Sequence, residues 1–543
     1  MEKGSFKFFY ILTPLITTTY PIIRIYLFNI ESIPVIHLLL ALIITSLLVL
    51  ILFIVSSLIY KNYIKGSFFT ILFFITIHVF HYLSKYIFIP ISMHFFNKTF
   101  YGIRVFRISY ILLPLSLLFA VYYTVLLYKT KKINFFHIKI FLIPFFALYS
   151  VTLIQIGTNT YKKQQAIKQY KLENEPFRIS LKKHALNLKR KINNKKLPDI
   201  YFIILDSYAS DKHLLEMYNY NNSQFTQQLK NIGFTVINDG RSNYPYTMRS
   251  LPATLNMCYL PSHISPCPTN YMWKNNNTYA FFKSLGYEII NLGVDVYHSE
   301  KTNLQPKKSI LLQQIKDFFY GWESFFHAVI QEHIILSVLF RNMVQRFLST
   351  NIDEYFYKKS RSCIKTKLNS LQNLYKISNP KFVYAHFTCP HIPYVFDKEG
   401  KDLPVDTKLS EQEKYCHSLQ FINKKIMDIF LTILNKSSRL PIIIVQGDHS
   451  PLFSHPNFHN LVKQTQNNSK LRNIVAQKQL DILNAVYLPK KNIVVPNDLT
   501  PVNNFRFLIK DYFETKIPIL KNKFFGINKV YFNTKKPGYF ELP

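Results

Sequence analysis

The chain has 543 residues and a formal net charge of +36, with 48% hydrophobic and 18% charged residues. That composition excludes a wholly disordered or collagen-like chain, and the length allows several structural units. The basic balance suits an anionic membrane surface or nucleic acid, and a general Lys- and Asn-rich bias would produce it equally.

The first 156 residues or so are apolar, with charges only in short clusters. From Ile33 to Tyr60 there is no Asp, Glu, Lys or Arg. A helix needs about 20 mostly apolar residues to cross the hydrocarbon core, so this segment is expected to span it with tilt. Four further stretches qualify: 8–28, 67–91, 108–128 and 136–156. The first contains Pro14, Pro21 and Arg24. It is too long for a signal-peptide core and no clear cleavage site follows, so it reads as an uncleaved anchor. The expectation is an all-α transmembrane bundle of five helices over 1–158, with the chain ends on opposite sides. Basic flanks do not orient it. Lys3, Lys7, Lys61, Lys65, Lys129, Lys131 and Lys132 on one side stand against Lys98, Arg104, Arg107, Lys162, Lys163, Lys168 and Lys171 on the other, which leaves the positive-inside rule balanced.

Residues 159–196 form a basic juxtamembrane connector, whose only acids over 161–196 are Glu173 and Glu175. It reads as a solvated, partly helical linker, or as a contact with anionic head groups at about 1 kcal/mol per basic residue.

A different pattern starts at Leu197. Ile200–Leu205 is a short apolar run rich in β-formers and ends at Asp206; 440–445 is another, followed by Gln446-Gly-Asp-His449; 381–385 leads into His386. Such runs read as buried strands. Helical stretches lie between them, at 222–232 and 411–435. The alternation predicts an α/β domain over 197–543 with a mainly parallel sheet. Ligands of such sheets sit beyond the carboxyl ends of the strands, where Asp206, His386, Asp448 and His449 are all expected to converge.

A carboxylate and an imidazole at one strand end supply oxygen and nitrogen ligands that zinc accepts. Thr247 precedes a helix-like run. As an N-cap its hydroxyl would feel the positive end of the helix dipole, and a bound metal would activate it as a nucleophile. Ser250 is the alternative nucleophile. Pro252, five residues on, is expected to kink or break this helix. The five cysteines, Cys258, Cys267, Cys363, Cys389 and Cys416, form no CxxC zinc pattern. A Cys258–Cys267 disulfide and buried thiols are both open.

Together these segments resemble the sulfatase-like branch of the alkaline phosphatase superfamily. The resemblance is carried by Pro198–Asp206, Asn243–Met257, Phe382–Phe396 with its Pro-His-Ile-Pro-Tyr core, Gln446–His449, Ile482–Pro489, Pro501–Arg506 and Tyr512-Phe513. It covers nearly all of 197–543 together with the multi-helix anchor. Relatives of this architecture are the phosphoethanolamine transferases and lipoteichoic acid synthases. The resemblance implies a metal site of Asp206, Thr247, Asp448 and His449, with Thr247 as nucleophile. It implies zinc in preference to manganese, and places His391 near the substrate phosphate, with His386 and Asn243 as looser substrate-binding candidates. Ser207 stands where a Gly is common. No Cys/Ser-x-Pro-x-Arg motif is present for formylglycine, which disfavours sulfate ester hydrolysis.

The function implied is transfer of a phosphoethanolamine-like head group from a phospholipid donor to a cell-envelope glycan, through a phospho-threonine intermediate. The alternatives are a hydrolase with water as acceptor and a non-catalytic membrane module. The implied location is a bacterial inner membrane, multi-pass, with 197–543 periplasmic. The expected partners are the membrane and these substrates, not nucleic acid.

Overall fold

The computed structural model describes residues 2–28, 35–83, 118, 122, 125, 126, 129, 130, 135–192, 197–264, 266–293, 352–451, 468–490, 492–527 and 539–542. The chain divides into two compact units, with Tyr161 and Lys162 on either side of the division.

In the first unit, helices Glu2–Phe28, Val35–Tyr60 and Tyr63–Leu83 pack against one another. The first continues through Pro14 and Pro21, and the Thr17 and Thr18 hydroxyls bond the Pro14 carbonyl. The second and third approach closely at Gly66, where a Cβ would stand 2.1 Å from the Ser57 hydroxyl. Among the described residues, Ala41–Tyr60 is long and apolar enough to cross a membrane, with a mean hydropathy of 3.0. Several of its apolar side chains, including Ile43, Leu47, Ile51 and Leu58, are exposed, while Val49 and Phe53 are buried. The expected spans 8–28 and 67–91 fall largely on the flanking helices. The span expected at 108–128 lies almost wholly outside the described residues. The span expected at 136–156 is the opening part of a 57-residue helix, Phe135–Lys191.

That helix carries most of the segment read as a linker. Beyond Lys162 it belongs to the second unit, where Leu181 and Ala185 are fully buried in the core. Arg178 donates to the Asn275 carbonyl and Tyr170 to the Asn256 amide oxygen at 3.2 Å. Its last turn holds Lys189, Arg190 and Lys191, which favours the negative end of the helix dipole.

Among the described residues the main sheet of the second unit has six strands: β1 (Ile200–Leu205), β2 (Phe234–Val236), β3 (Glu288–Leu292), β4 (Lys381–Phe387), β5 (Ile442–Gln446) and β6 (Asn484–Tyr487), with Phe525–Ile527 and Tyr539–Glu541 forming a separate antiparallel pair. Their order is β2-β6-β5-β1-β4-β3. β1 lies between β4 and β5, parallel to both, and β3 is parallel to β4. β6 and β2 add an antiparallel edge. Strands β1, β4 and β5 are buried along their whole length, because layers cover both faces of the sheet. Tyr201, Ile203 and Leu205 point to one face and meet Leu419, Ile422 and Ile426 of helix Glu411–Lys436. Ile200, Phe202 and Ile204 point to the other face and meet Leu251 and Leu255 of helix Thr247–Asn256. The long helix starts from a capping box in which Ser410 and Glu413 satisfy each other's backbone N–H groups.

Three expectations need correction. His386 lies inside β4, not beyond it, because β4 stays paired with β1 through Leu205 and Phe387. Helix Thr247–Asn256 runs unbroken through Pro252. The proline lacks only the one N–H that would have bonded residue 248, and the buried layer around it, including Leu251, Ala253 and Leu255, holds the turn. Thr247 is the first helical residue, not the cap. Tyr246, in extended conformation, takes the cap position, and its carbonyl accepts from Ser250 at 2.8 Å. The five cysteines are not joined in disulfides, and burial pushes the Cys258 thiol up to about 11.

Candidate active site

The register of β1, β4 and β5 brings their carboxyl ends level. Ile204 pairs with both His386 and Gln446, and the Asp206 N–H continues the ladder to the Phe387 carbonyl at 2.9 Å. Asp206 thus leaves β1 beside His386 of β4, while Asp448 and His449 follow β5. Gly447 permits that exit. A Cβ there would stand 2.2 Å from the Tyr208 carbonyl oxygen.

Two sets of ligand atoms lie within 4.8 Å of one another: Asp206, His391 and His449, and Asp206, His386 and Asp448. His449 Nε2 is 3.5 Å from Asp206 Oδ1 and 3.6 Å from Asp448 Oδ2. His386 Nε2 is 3.3 Å from Asp206 Oδ2. The imidazoles of His391 and His449 meet edge to face, with centroids 6.1 Å apart. Asp448 is fully buried, and Asp206, His386 and His449 are nearly so; His391 and Thr247 are half-exposed. The Thr247 hydroxyl donates to Asp448 Oδ2 at 2.5 Å. Asp448 Oδ1 accepts the N–H groups of Ser207 at 3.1 Å and His449 at 3.0 Å.

Burial alone would favour the neutral form of Asp206. The charge of His391, the hydrogen bond from His386 and the charge of His449 outweigh it and hold the carboxyl well below the usual carboxylate range. Burial likewise opposes the His449 cation, but Asp448, Asp206 and the Ser450 carbonyl prevail and raise its pKa above the ordinary histidine value.

These donors fit a divalent metal. His449 Nδ1 faces the Ser450 carbonyl at 3.0 Å and His391 Nδ1 the Ile392 carbonyl at 2.6 Å. A carbonyl only accepts, so each Nδ1 carries a proton, and in the neutral ring each Nε2 presents a lone pair. In neutral His449 that lone pair faces two carboxylates, an arrangement relieved either by a proton on Nε2 or by a bound cation. Two imidazoles with carboxylate oxygens are a donor set suited to zinc.

The sequence-derived residues Asp206, Thr247, His386, His391, Asp448 and His449 are brought together. Asn243 is not among them. Its amide donates to the Lys523 carbonyl at 2.9 Å and accepts from the Val502 N–H at 3.0 Å, so it ties two chain segments. Ser250, the alternative nucleophile, is buried with its hydroxyl unpartnered among the described residues.

Two residues escaped sequence reasoning. Ser207 has φ 61°, in the left-handed region, which costs a non-glycine residue about 1–2 kcal/mol. That conformation turns its N–H to Asp448, and its hydroxyl lies 3.3 Å from Asp206 Oδ1 and 3.4 Å from His449 Nδ1. The glycine common at this position was the available signal. Ser242 donates to the Asp448 carbonyl at 2.6 Å, a contact that nothing in the sequence marks.

No protein-family model matches the chain, and no curated protein matches it. Solved structures do. The C-terminal periplasmic domain of EcEptC from Escherichia coli is 10% identical, with a TM-score of 0.38 over 64% of this chain and 92% of that one. The same domain in complex with Zn gives 11%, a TM-score of 0.31, and 55% and 74% coverage. Lipooligosaccharide phosphoethanolamine transferase A from Neisseria meningitidis, an integral membrane protein, gives 12%, a TM-score of 0.33, and 81% and 87%.

Proposed function

We propose that the protein is a membrane-anchored, metal-dependent enzyme that moves a phospho-alcohol head group, of the phosphoethanolamine kind, from a phospholipid to a cell-envelope glycan. The observation that carries this reading is the Thr247 hydroxyl bonded to a carboxylate of the metal-ligand cluster. A hydroxyl there has a base for its proton, a helix start behind it and partial exposure.

Thr247 Oγ1 attacks the phosphorus of the lipid phosphodiester and its proton passes to Asp448 Oδ2. A Thr–O–P bond forms, and the P–O bond to the lipid alcohol breaks as that alkoxide takes up the proton that Asp448 received. The head group is then held as a phospho-threonine diester. A hydroxyl or phosphate of the glycan attacks next, and Thr247 leaves with its hydroxyl restored. Asp206, Asp448, His449 and His391 would hold the metal, zinc in this reading, with Thr247 beside it. When bound, the ion supplies Lewis-acid stabilisation of the phosphoryl charge and lowers the hydroxyl pKa. His391 is more exposed than Asp206, Asp448 and His449 and lies on the open side of the cluster. Water in place of the glycan would make the same site a hydrolase. No separate observation favours that outcome.

The bundle keeps the site near its lipid donor, with residues 197–543 on the periplasmic face of a bacterial inner membrane. The test incubates the detergent-solubilised protein with a lipid labelled in its head group. Intact-mass and peptide analysis should find the head-group phosphate on Thr247. Turnover without any adduct on Thr247 would overturn the mechanism.

A further inference from the structure

The Nδ1 partners of the three clustered histidines differ. In His449 and His391 the partner is a backbone carbonyl, which fixes the proton on Nδ1 and frees Nε2. In His386 it is the Tyr384 hydroxyl, at 3.3 Å. A hydroxyl donates as readily as it accepts, so Nδ1 of His386 is free to be the acceptor. On its other side His386 Nε2 faces Asp206 Oδ2 at 3.3 Å. An ionised carboxylate only accepts, and a hydrogen bond there needs the proton on Nε2. The consistent chain is Tyr384 hydroxyl to Nδ1, then Nε2–H to Asp206.

The surroundings make this ring immobile and inaccessible. His386 is 1% exposed, so it does not touch a substrate. Its backbone is paired with β1, and its carbonyl accepts from the Lys367 ammonium at 3.3 Å, which also bonds the Gly293 carbonyl. The two oxygens of Asp206 consequently face different groups: Oδ2 meets His386, while Oδ1 meets His449 and the Ser207 hydroxyl.

We propose that His386 is neither a substrate-binding residue nor a metal ligand but a positioning residue, whose Nε2–H holds Oδ2 of Asp206 and leaves Oδ1 to share an ion with His391 and His449. This rests on the metal reading above. A partner behind a ligating carboxylate fixes its orientation, and losing such a partner typically costs about 10–100-fold in metal affinity.

The test uses the full-length protein in detergent, stripped of metal. Zn²⁺ affinity is measured by competition with a chromophoric chelator, and the coordination shell by the visible spectrum of the Co²⁺ form. His386→Ala should bind Zn²⁺ about 10–100-fold more weakly, with the Co²⁺ spectrum unchanged in shape and the same metal content at saturation. His386→Gln, whose amide N–H can reach toward Asp206, should recover most of the affinity. Tyr384→Phe, which keeps the ring and removes only the hydroxyl, should show a smaller fall, and with the Gln variant it carries the test if the Ala variant does not fold. Wild-type affinity in His386→Ala would overturn the proposal. So would a Gln variant as weak as Ala with an altered Co²⁺ spectrum, which would make His386 a ligand. A wild-type protein that binds neither ion would refute the metal reading itself, a result separable from both.

Discussion

Replacing Thr247 by Ala removes one hydroxyl and its bond to Asp448 Oδ2 at 2.5 Å. Thr247 is not the helix cap, so the helix start keeps its Tyr246 carbonyl bonds to Arg249 and Ser250. Asp448 keeps both N–H donors on Oδ1 and its approach to His449. The loss is therefore one hydrogen bond to a charged group, worth about 1.5–3 kcal/mol. Thr247 is half-exposed, so water can take the place of the hydroxyl and bring the loss toward about 1–2 kcal/mol. Native domains carry about 5–15 kcal/mol, so the variant stays folded. Turnover should nevertheless fall by roughly 10⁴-fold or more, the scale of deleting a nucleophile from a covalent mechanism. Denaturant unfolding of the detergent-solubilised variant gives the first quantity, and release of labelled head group the second. Thr247→Ser should retain partial activity, because the hydroxyl survives without the γ-methyl that restricts its rotamer. Full turnover in Thr247→Ala, or a phospho-adduct mapped to Ser250, would refute the assignment. The burial of Ser250 stands against the second outcome.

His449 has a raised pKa in the folded, metal-free protein. Its stabilising contribution is complete below the ordinary histidine value and is lost as pH rises through the raised one. Metal affinity runs the opposite way, since the proton competes for the ligand, and should climb over that same window; chelator competition and thermal unfolding of the metal-free protein across pH check the pair of slopes. Lys381 and Asp199 form a fully buried ion pair, Nζ to Oδ2 at 2.5 Å, at the far end of β1 and β4. Burial raises the Asp199 carboxyl even against the lysine. Lys381→Met should destabilise by about 3–5 kcal/mol, because an uncompensated carboxylate stays in the core, and Asp199→Asn on top should recover part of it in denaturant unfolding. Gly447→Ala places a Cβ against a backbone oxygen, so Asp448 must shift and Zn²⁺ affinity by chelator competition should fall. Reporter fusions after Tyr161 should be active only outside the cytoplasm; cytoplasmic activity would refute the topology.

The sequence alone marked β1, β4 and β5, because strands covered on both faces must be apolar almost throughout and little else beyond Leu197 is. It also marked helices 223–231 and 411–436 within a residue or so. Asp206 and the Asp448-His449 pair were legible for a related reason: polar groups directly after buried strands stand where a parallel sheet opens to ligands. What the sequence misplaced depended on contacts between distant segments. It ended β4 before His386, since the apolar run stops there, yet pairing with β1 carries the strand one turn of the pleat further. It expected Pro252 to break its helix, because local propensity ignores the buried layer that holds the turn. Nor did it show that the Asn243 amide is held by backbone from residues 502 and 523. The proton positions on the histidines were likewise beyond the sequence. They follow from whether a carbonyl or a hydroxyl happens to face each Nδ1; Tyr384 lies beside His386 because residues two apart share a strand face, and only the packing of β4 against β1 put Asp206 in front of it.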